Sequence, residues 1–237
     1  MAEKEDKYAI HAAAREGRVA AVESLLNADP KLATRKDQDG RLPIHWAASA
    51  NNFDIFSLLV NQKGFDPDVQ DDSGWTPLMI AASVKDSDKI VDLLLSKGAD
   101  VNETNNSGQT VLHFIASKSN IDLARKLLQE HNPPASARVR DKRGQYALHR
   151  AAAVGSVPMI NLLLKARSPL NATDSAGYTA LHHAVAEGHG DAAVALLKAG
   201  AETGKKDADG MLALELAPGM DVRRYIEREC EREGIEL

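Results

Sequence analysis

The stretch Asp71-Asp72-Ser73-Gly74-Trp75-Thr76-Pro77-Leu78-Met79-Ile80-Ala81-Ala82, followed by Leu93-Leu94 and Gly98-Ala99-Asp100-Val101-Asn102, decides the fold. It reads as turn, helix, turn, helix, loop. Asp71 can bond backbone groups two residues on and nucleate a turn. Gly74 accepts a positive φ without strain. Thr76 can cap a helix, and Pro77 in its first turn loses no needed N–H. The small pair Ala81-Ala82 lets a neighbouring helix approach, and Leu93-Leu94 supplies the apolar stripe of a second helix.

Working outward, the pattern recurs. Equivalent glycines stand at 40, 74, 108, 144, 177 and 210, each three residues after Asp37, Asp71, Asn105, Asp141, Asp174 or Asp207. Five residues after each glycine stands His45, Met79, His113, His149, His182 or Glu215, and His11 opens a first repeat that lacks the glycine. The period is about 34 residues, the mark of a repeat protein whose stability sums over repeats and their interfaces. Seven repeats run from Tyr8 to the C-terminus, the last breaking the pattern at Glu215, Pro218 and Gly219 as a cap. Pro43 holds the place of Pro77 in repeat two. Gly17, Asn51, Gly155 and Gly188 suit left-handed caps between the paired helices, whereas Lys85 and Ser119 depart from that preference. The two extra residues between Gly108 and Gly144 fall near His131-Asn132-Pro133-Pro134 and read as a longer finger.

These units resemble the ankyrin repeat. The expected fold is therefore all-α: an ankyrin-repeat solenoid of seven helix-turn-helix units with short β-hairpin fingers, residues 1–237 forming a single domain. Thin layers packed through Ala fit the scarcity of rings, with 2 Trp, 4 Tyr and 4 Phe in 237 residues.

Composition narrows function by exclusion. A net charge of −5 argues against a general nucleic-acid binder. No run of about 18 apolar residues suggests a membrane span. The start, Met1 to Gly17, shows no apolar core of a secretory leader, and a lone cysteine, Cys230, excludes an internal disulfide framework. His182-His183 with Glu187 and His189 could be read as a zinc site, and a metal-dependent enzyme there is one hypothesis. Once the repeat is subtracted no closed ligand set remains, so no metal, cofactor or catalytic residue is expected. Neither a Gly-rich phosphate loop nor a nucleophile elbow occurs.

What remains is a binding surface. Positions that vary between repeats flank each finger glycine and follow the repeated His. Along the expected concave face they give Lys36, Asp39, Arg41 and Trp46 in repeat two, with Asp72 and Trp75 in repeat three. Lys118, Arg140, Lys142, Arg143 and Arg150 follow in repeats four and five, and Tyr178, His183 and Glu187 in repeat six. This face is basic in an acidic protein, and Trp and Arg are favoured interface anchors. Seven layers give a groove roughly 60–70 Å long, suited to a folded domain more than to a short peptide.

Several stretches resemble the gankyrin family in particular. Lys36-Asp37-Gln38-Asp39-Gly40-Arg41 with Pro43 and His45-Trp46 is similar to its second repeat, and Asp71 to Pro77 to its third. Leu148-His149-Arg150-Ala151-Ala152 with Val154-Gly155-Ser156 resembles the fifth repeat of its fungal branch, and Ala186 to Ala193 the sixth. The resemblance implies a non-catalytic, monomeric chaperone of the cytoplasm and nucleus that assembles the 26S proteasome regulatory-particle base. It implies binding of the C-terminal domain of one proteasomal ATPase subunit, which hinders premature docking on the core particle. Arg41 and neighbouring bases would pair with acids of that domain, and Glu187 with its bases. Animal members carry an LxCxE segment; His183-Ala184-Val185-Ala186-Glu187 lacks its Leu and Cys, so that activity is not implied. A general ankyrin adaptor or inhibitor of a signalling or cell-cycle protein is the alternative.

Overall fold

The computed structural model describes residues 7–237. The reading of the leader rests partly on residues 1–6, which lie outside the described residues. The chain forms two compact units, an N-terminal half (1–106) and a C-terminal half (107–237).

In the N-terminal half, inner helices α1 (Ala9–Arg15), α3 (Pro43–Ser49) and α5 (Pro77–Ser83) pack side by side. Outer helices α2 (Val19–Ala28), α4 (Phe53–Val60) and α6 (Asp88–Ser96) lie against them. In the C-terminal half the inner row is α7 (Val111–Lys118), α9 (Ala147–Ala153), α11 (Ala180–Ala186) and the 3-10 turn Ala213–Leu216. Its outer row is α8 (Ile121–Arg125), α10 (Val157–Lys165), α12 (Gly190–Lys198) and α13 (Met220–Glu233). The expected ankyrin-type solenoid is thus the observed architecture.

The repeated residues do what their chemistry allows. Ala13, Ala14, Ala47, Ala48, Ala151 and Ala152 are buried between inner helices. Thr76 Oγ1 accepts the Met79 N–H at 3.3 Å, closing the start of α5. The repeated His is a buried strut. Leu42 N–H donates to His45 Nδ1 (3.0 Å), so Nε2 holds the proton and donates to Val69 O (3.1 Å). His113 and His149 repeat this geometry with Gln145 O and Ala172 O. Burial pushes His45, His113, His149 and His182 below the ordinary imidazole range, His149 to about 4.

Each finger is tighter than a hairpin. Two backbone bonds close it, as in Asp71 N to Trp75 O (3.1 Å) with Gly74 N to Asp71 O (2.9 Å), and Asp141 N to Gln145 O (2.8 Å) with Gly144 N to Asp141 O (2.9 Å). Among the described residues the one isolated antiparallel bridge joins Lys206 and Leu212. Fingers then link within each half: Asp72 N to Asp39 O and Asn106 N to Ser73 O, both 3.0 Å, and Ser175 N to Arg143 O at 2.7 Å. Gly74 shows why glycine is needed. Its φ is +77°, and a Cβ there would sit 2.6 Å from Asn106 N.

Two local expectations are corrected. The left-handed residue between α5 and α6 is Asp86 (φ 58°), because the chain already leaves the helix at Val84; Ser119 (φ 53°) does adopt that conformation. The extra residues of repeat four do not lengthen its finger. They sit at the end of the outer helix, where α8 widens into a π-helical turn, Lys126–Glu130, a known way to absorb an insertion.

Candidate protein-binding face

In the N-terminal half the side chains of α3 and of the two fingers form one connected array. Asp37 caps its own turn: Oδ1 accepts the N–H groups of Asp39 and Arg41, both at 2.9 Å. Its Oδ2 accepts Trp46 Nε1–H at 2.8 Å. Burial alone would raise the Asp37 carboxyl, but these donors outweigh it and hold it below the usual carboxylate range. Arg41 Nε donates to Asp71 Oδ2 at 3.0 Å, the Asp71 side chain being 2% exposed and that of Arg41 31%. The Arg41 guanidinium also lies 5.1 Å from the centre of the Trp46 ring, and Arg15 lies 5.5 Å from it. Two cations thus sit against one indole, a favourable quadrupole contact. A hollow of about 340 Å³ opens there, lined by Tyr8, His11, Arg15, Asp37, Asp39 and Trp46.

The C-terminal half repeats the design with other side chains. Asp141 Oδ1 accepts Arg143 N–H and Gln145 N–H, and Oδ2 accepts Arg150 Nη2 at 3.1 Å. Asp174 Oδ2 meets His183 Nε2 and Gln145 Nε2, both at 2.9 Å. Burial alone would raise Asp174, but hydrogen bonds from Gln145, His183 and backbone N–H groups hold it low. Tyr178 packs edge-on against His183, ring centres 5.4 Å apart.

The named face residues therefore fall into two kinds. Arg41, Trp46, Trp75, Arg150, Tyr178 and His183 are half-buried. Lys36, Asp39, Asp72, Lys118, Arg140, Lys142, Arg143 and Glu187 are exposed. Among the described residues, Lys36, Lys118, Arg140, Lys142 and Arg143 form no ion pair. The reading of positions passed over Arg15, which only its place one turn after His11 on the same inner helix could have signalled. It also passed over the second oxygen of each finger Asp as an acceptor for face residues.

The histidines are spent in the same frame. His182 is buried in the repeated position and His189 Nε2 contacts Ala153 O at 3.2 Å. Among the described residues, no group of three His, Cys, Asp or Glu side chains could hold a metal ion. None of the described helices is long and apolar enough to cross a membrane.

Paired helices, closed fingers and an exposed variable face define a repeat scaffold, and comparison with known proteins agrees. Ankyrin repeats, in three copies, match residues 2–71, 57–137 and 112–207, and the chain belongs to the ankyrin-repeat family. It is similar to the "Probable 26S proteasome regulatory subunit p28" of Saccharomyces cerevisiae, with 40% identity over 159 residues, 66% of this chain and 68% of that protein. The gankyrin-type resemblance of the repeat motifs agrees with this likeness. Among solved structures, the ankyrin repeat domain of Bcl-3, a member of the IkappaB family, matches with a TM-score of 0.71 and 26% identity. That match covers 95% of this chain and all of Bcl-3's. The ankyrin repeat domain of human ASB11 matches with a TM-score of 0.78 at 20% identity, covering 92% and 96% of the two chains, a likeness of fold.

Proposed function

We propose that this protein is a non-catalytic assembly chaperone of the 26S proteasome. It binds the C-terminal domain of one ATPase subunit of the regulatory-particle base through the inner-helix and finger face. While bound, it hinders the base from docking prematurely on the core particle. It acts as a monomer, in the cytoplasm and nucleus. The observation that carries this reading is the 40% identity to a yeast protein named as a proteasome regulatory subunit. The Arg41–Trp46 array supports it, since a braced cation on an indole is an interface anchor. Lys36, Lys118, Arg140, Lys142 and Arg143 would meet acids of the partner, and Glu187 its bases. Affinity capture from extract tests the proposal: base ATPase subunits without core particle should be recovered. The isolated ATPase domain should then bind the purified chain directly. Capture of intact proteasome, or no direct binding, would overturn it. The 26% identity to Bcl-3 favours a second reading, an adaptor or inhibitor of a signalling protein, which capture of such a protein without base subunits would support.

A further inference from the structure

Two adjoining repeats of the N-terminal half leave the pattern on either side of one cavity. After α6 and α12 the chain turns through Gly98-Ala99 and Gly200-Ala201, and Ala99 is buried. Repeat one replaces that turn with the 3-10 turn Pro30–Thr34. Repeat two keeps Gly64 but follows it with Phe65, a half-buried ring where Ala would do. Ala33 of the first departure and Phe65 of the second both line a cavity of about 300 Å³. Its other apolar walls are Leu42, Ile44, Leu59 and Val69. Stacking of repeats requires neither departure, since the later repeats pack without them.

The polar lining is asymmetric. Lys36 and Lys63 both border the cavity, are exposed, and form no ion pair among the described residues. Asp66 also borders it, its Oδ1 accepting the Asp68 N–H at 3.0 Å, so the lining carries two basic side chains to one acidic one. The cavity shares no lining residue with the hollow at Trp46.

We propose that this cavity is a second docking site, which takes one aromatic or branched apolar side chain of a protein segment flanked by acidic residues. Its volume lies at the low end for small-molecule sites, which suits a single anchoring side chain. Two unpaired ammonium groups beside it select carboxylates next to that anchor and steer their approach. A protein segment supplies both in one chain, and repeat scaffolds of this kind offer extended surfaces to proteins. The inference does not depend on the ATPase partner.

The probe is the fluorescein-labelled peptide Gly-Glu-Asp-Phe-Asp-Glu amide, titrated by anisotropy against the full chain and mapped by amide shifts in ¹⁵N spectra. Shifts should centre on residues 33–36 and 63–66. Replacing the peptide's Phe with Ala, or its acids with amides, should weaken binding at least tenfold. Phe65→Ala introduces the residue that other repeats use, so the fold should hold while affinity falls at least tenfold. Lys63→Glu, on the surface and outside the face proposed for the ATPase domain, should weaken the peptide several-fold and blunt its salt dependence. Shifts confined to residues around Trp46 would overturn the proposal, as would unchanged affinity in both variants. Phenylacetate competing as strongly as the peptide would also overturn it, since the site would then take a free carboxylate. Lys36 also belongs to the face proposed for the ATPase domain, but neither Phe65→Ala nor Lys63→Glu changes a residue of that face, so loss of ATPase-domain binding is a separate measurement.

Discussion

Asp71→Asn is a surgical test of how the face is held. Asn keeps the size of the side chain and one oxygen for the turn, where Oδ1 accepts Ser73 N–H and Trp75 N–H, each at 2.9 Å. The finger should therefore survive. With that oxygen in use, the amide nitrogen falls where Oδ2 now accepts Arg41 Nε–H at 3.0 Å, donor against donor. A hydrogen bond to a charged group contributes about 1.5–3 kcal/mol, and breaking a fully buried pair costs about 3–5. Asp71 is 2% exposed but Arg41 is 31% exposed, so water takes over much of the guanidinium. The discounted cost is about 1–2 kcal/mol. Urea unfolding followed by far-ultraviolet circular dichroism, on wild type, Asp71→Asn, Arg41→Gln and the double variant, measures it as a cycle. The coupling should be about 1 kcal/mol with unchanged m-values. Binding of the ATPase domain should weaken several-fold in Asp71→Asn although Asp71 is out of a partner's reach, because Arg41 loses its brace. A coupling below about 0.3 kcal/mol would refute the reasoning, for the pair would then be a bystander.

Other outcomes follow from the same geometry. His149 is held near 4 in the fold because burial, and then the neighbouring His183, disfavour its cation. Between about pH 6.5 and 4 the unfolded chain takes up a proton there that the folded chain refuses, so stability falls as pH falls, by up to about 3 kcal/mol. Unfolding titrations should show that loss flattened in His149→Gln; parallel slopes in the two proteins would count against it. Gly74→Ala should cost more than about 2 kcal/mol, combining left-handed strain with a Cβ 2.6 Å from Asn106 N. Gly210→Ala, at φ +81° with nothing within 4 Å, should cost only about 1 kcal/mol. Equal melting shifts would mean that finger stacking is not what Gly74 serves. Trp46→Ala and Trp75→Ala should each weaken partner binding by about 1–3 kcal/mol in calorimetry, and unchanged affinity in both folded variants would move the interface elsewhere.

The repeat was legible because each recurring residue answers a local demand: Asp for the turn, Gly for positive φ, small pairs between helices, Leu for the outer stripe. The insertion in repeat four was misplaced because spacing counts residues without saying which segment can stretch. The finger of repeat five is pinned, Lys142 N bonding Ser107 O at 2.9 Å and Asp141 Oδ1 holding two N–H groups. The end of α8 takes the extra length as a π turn, closed by His131 N to Lys126 O (3.0 Å) and Ala135 N to Leu127 O (2.8 Å). The fingers stay short of strand ladders because two backbone bonds close the turn and the Asp side chain accepts two further N–H groups.

The candidate face was legible as a set of positions but not as a set of bonds. Arg41 reaches thirty residues on to Asp71, whereas Arg150 and His183 each reach nine back, to Asp141 and Asp174. The reach of nine recurs because the fold brings each finger against its inner helix, and the reach from finger to finger recurs as Gln145 to Asp174, twenty-nine residues on. Each of these finger carboxylates therefore serves twice, one oxygen shaping the turn and the other holding a face side chain. Asp37 does the same for the Trp46 indole, whereas repeat four has Asn105, with Phe114 nine residues on and Trp75 thirty before. Asp207 keeps its carboxylate opposite Tyr178 and Leu216, so the correspondence is a tendency and not a rule. The consequence is a division of work among the cations. Arg41 and Arg150 arrive partly neutralised and rigid, suited to orient a partner at short range. Lys36, Lys118, Arg140, Lys142 and Arg143 are exposed, so under the proposed function salt should screen them and they should act mainly on the rate of encounter.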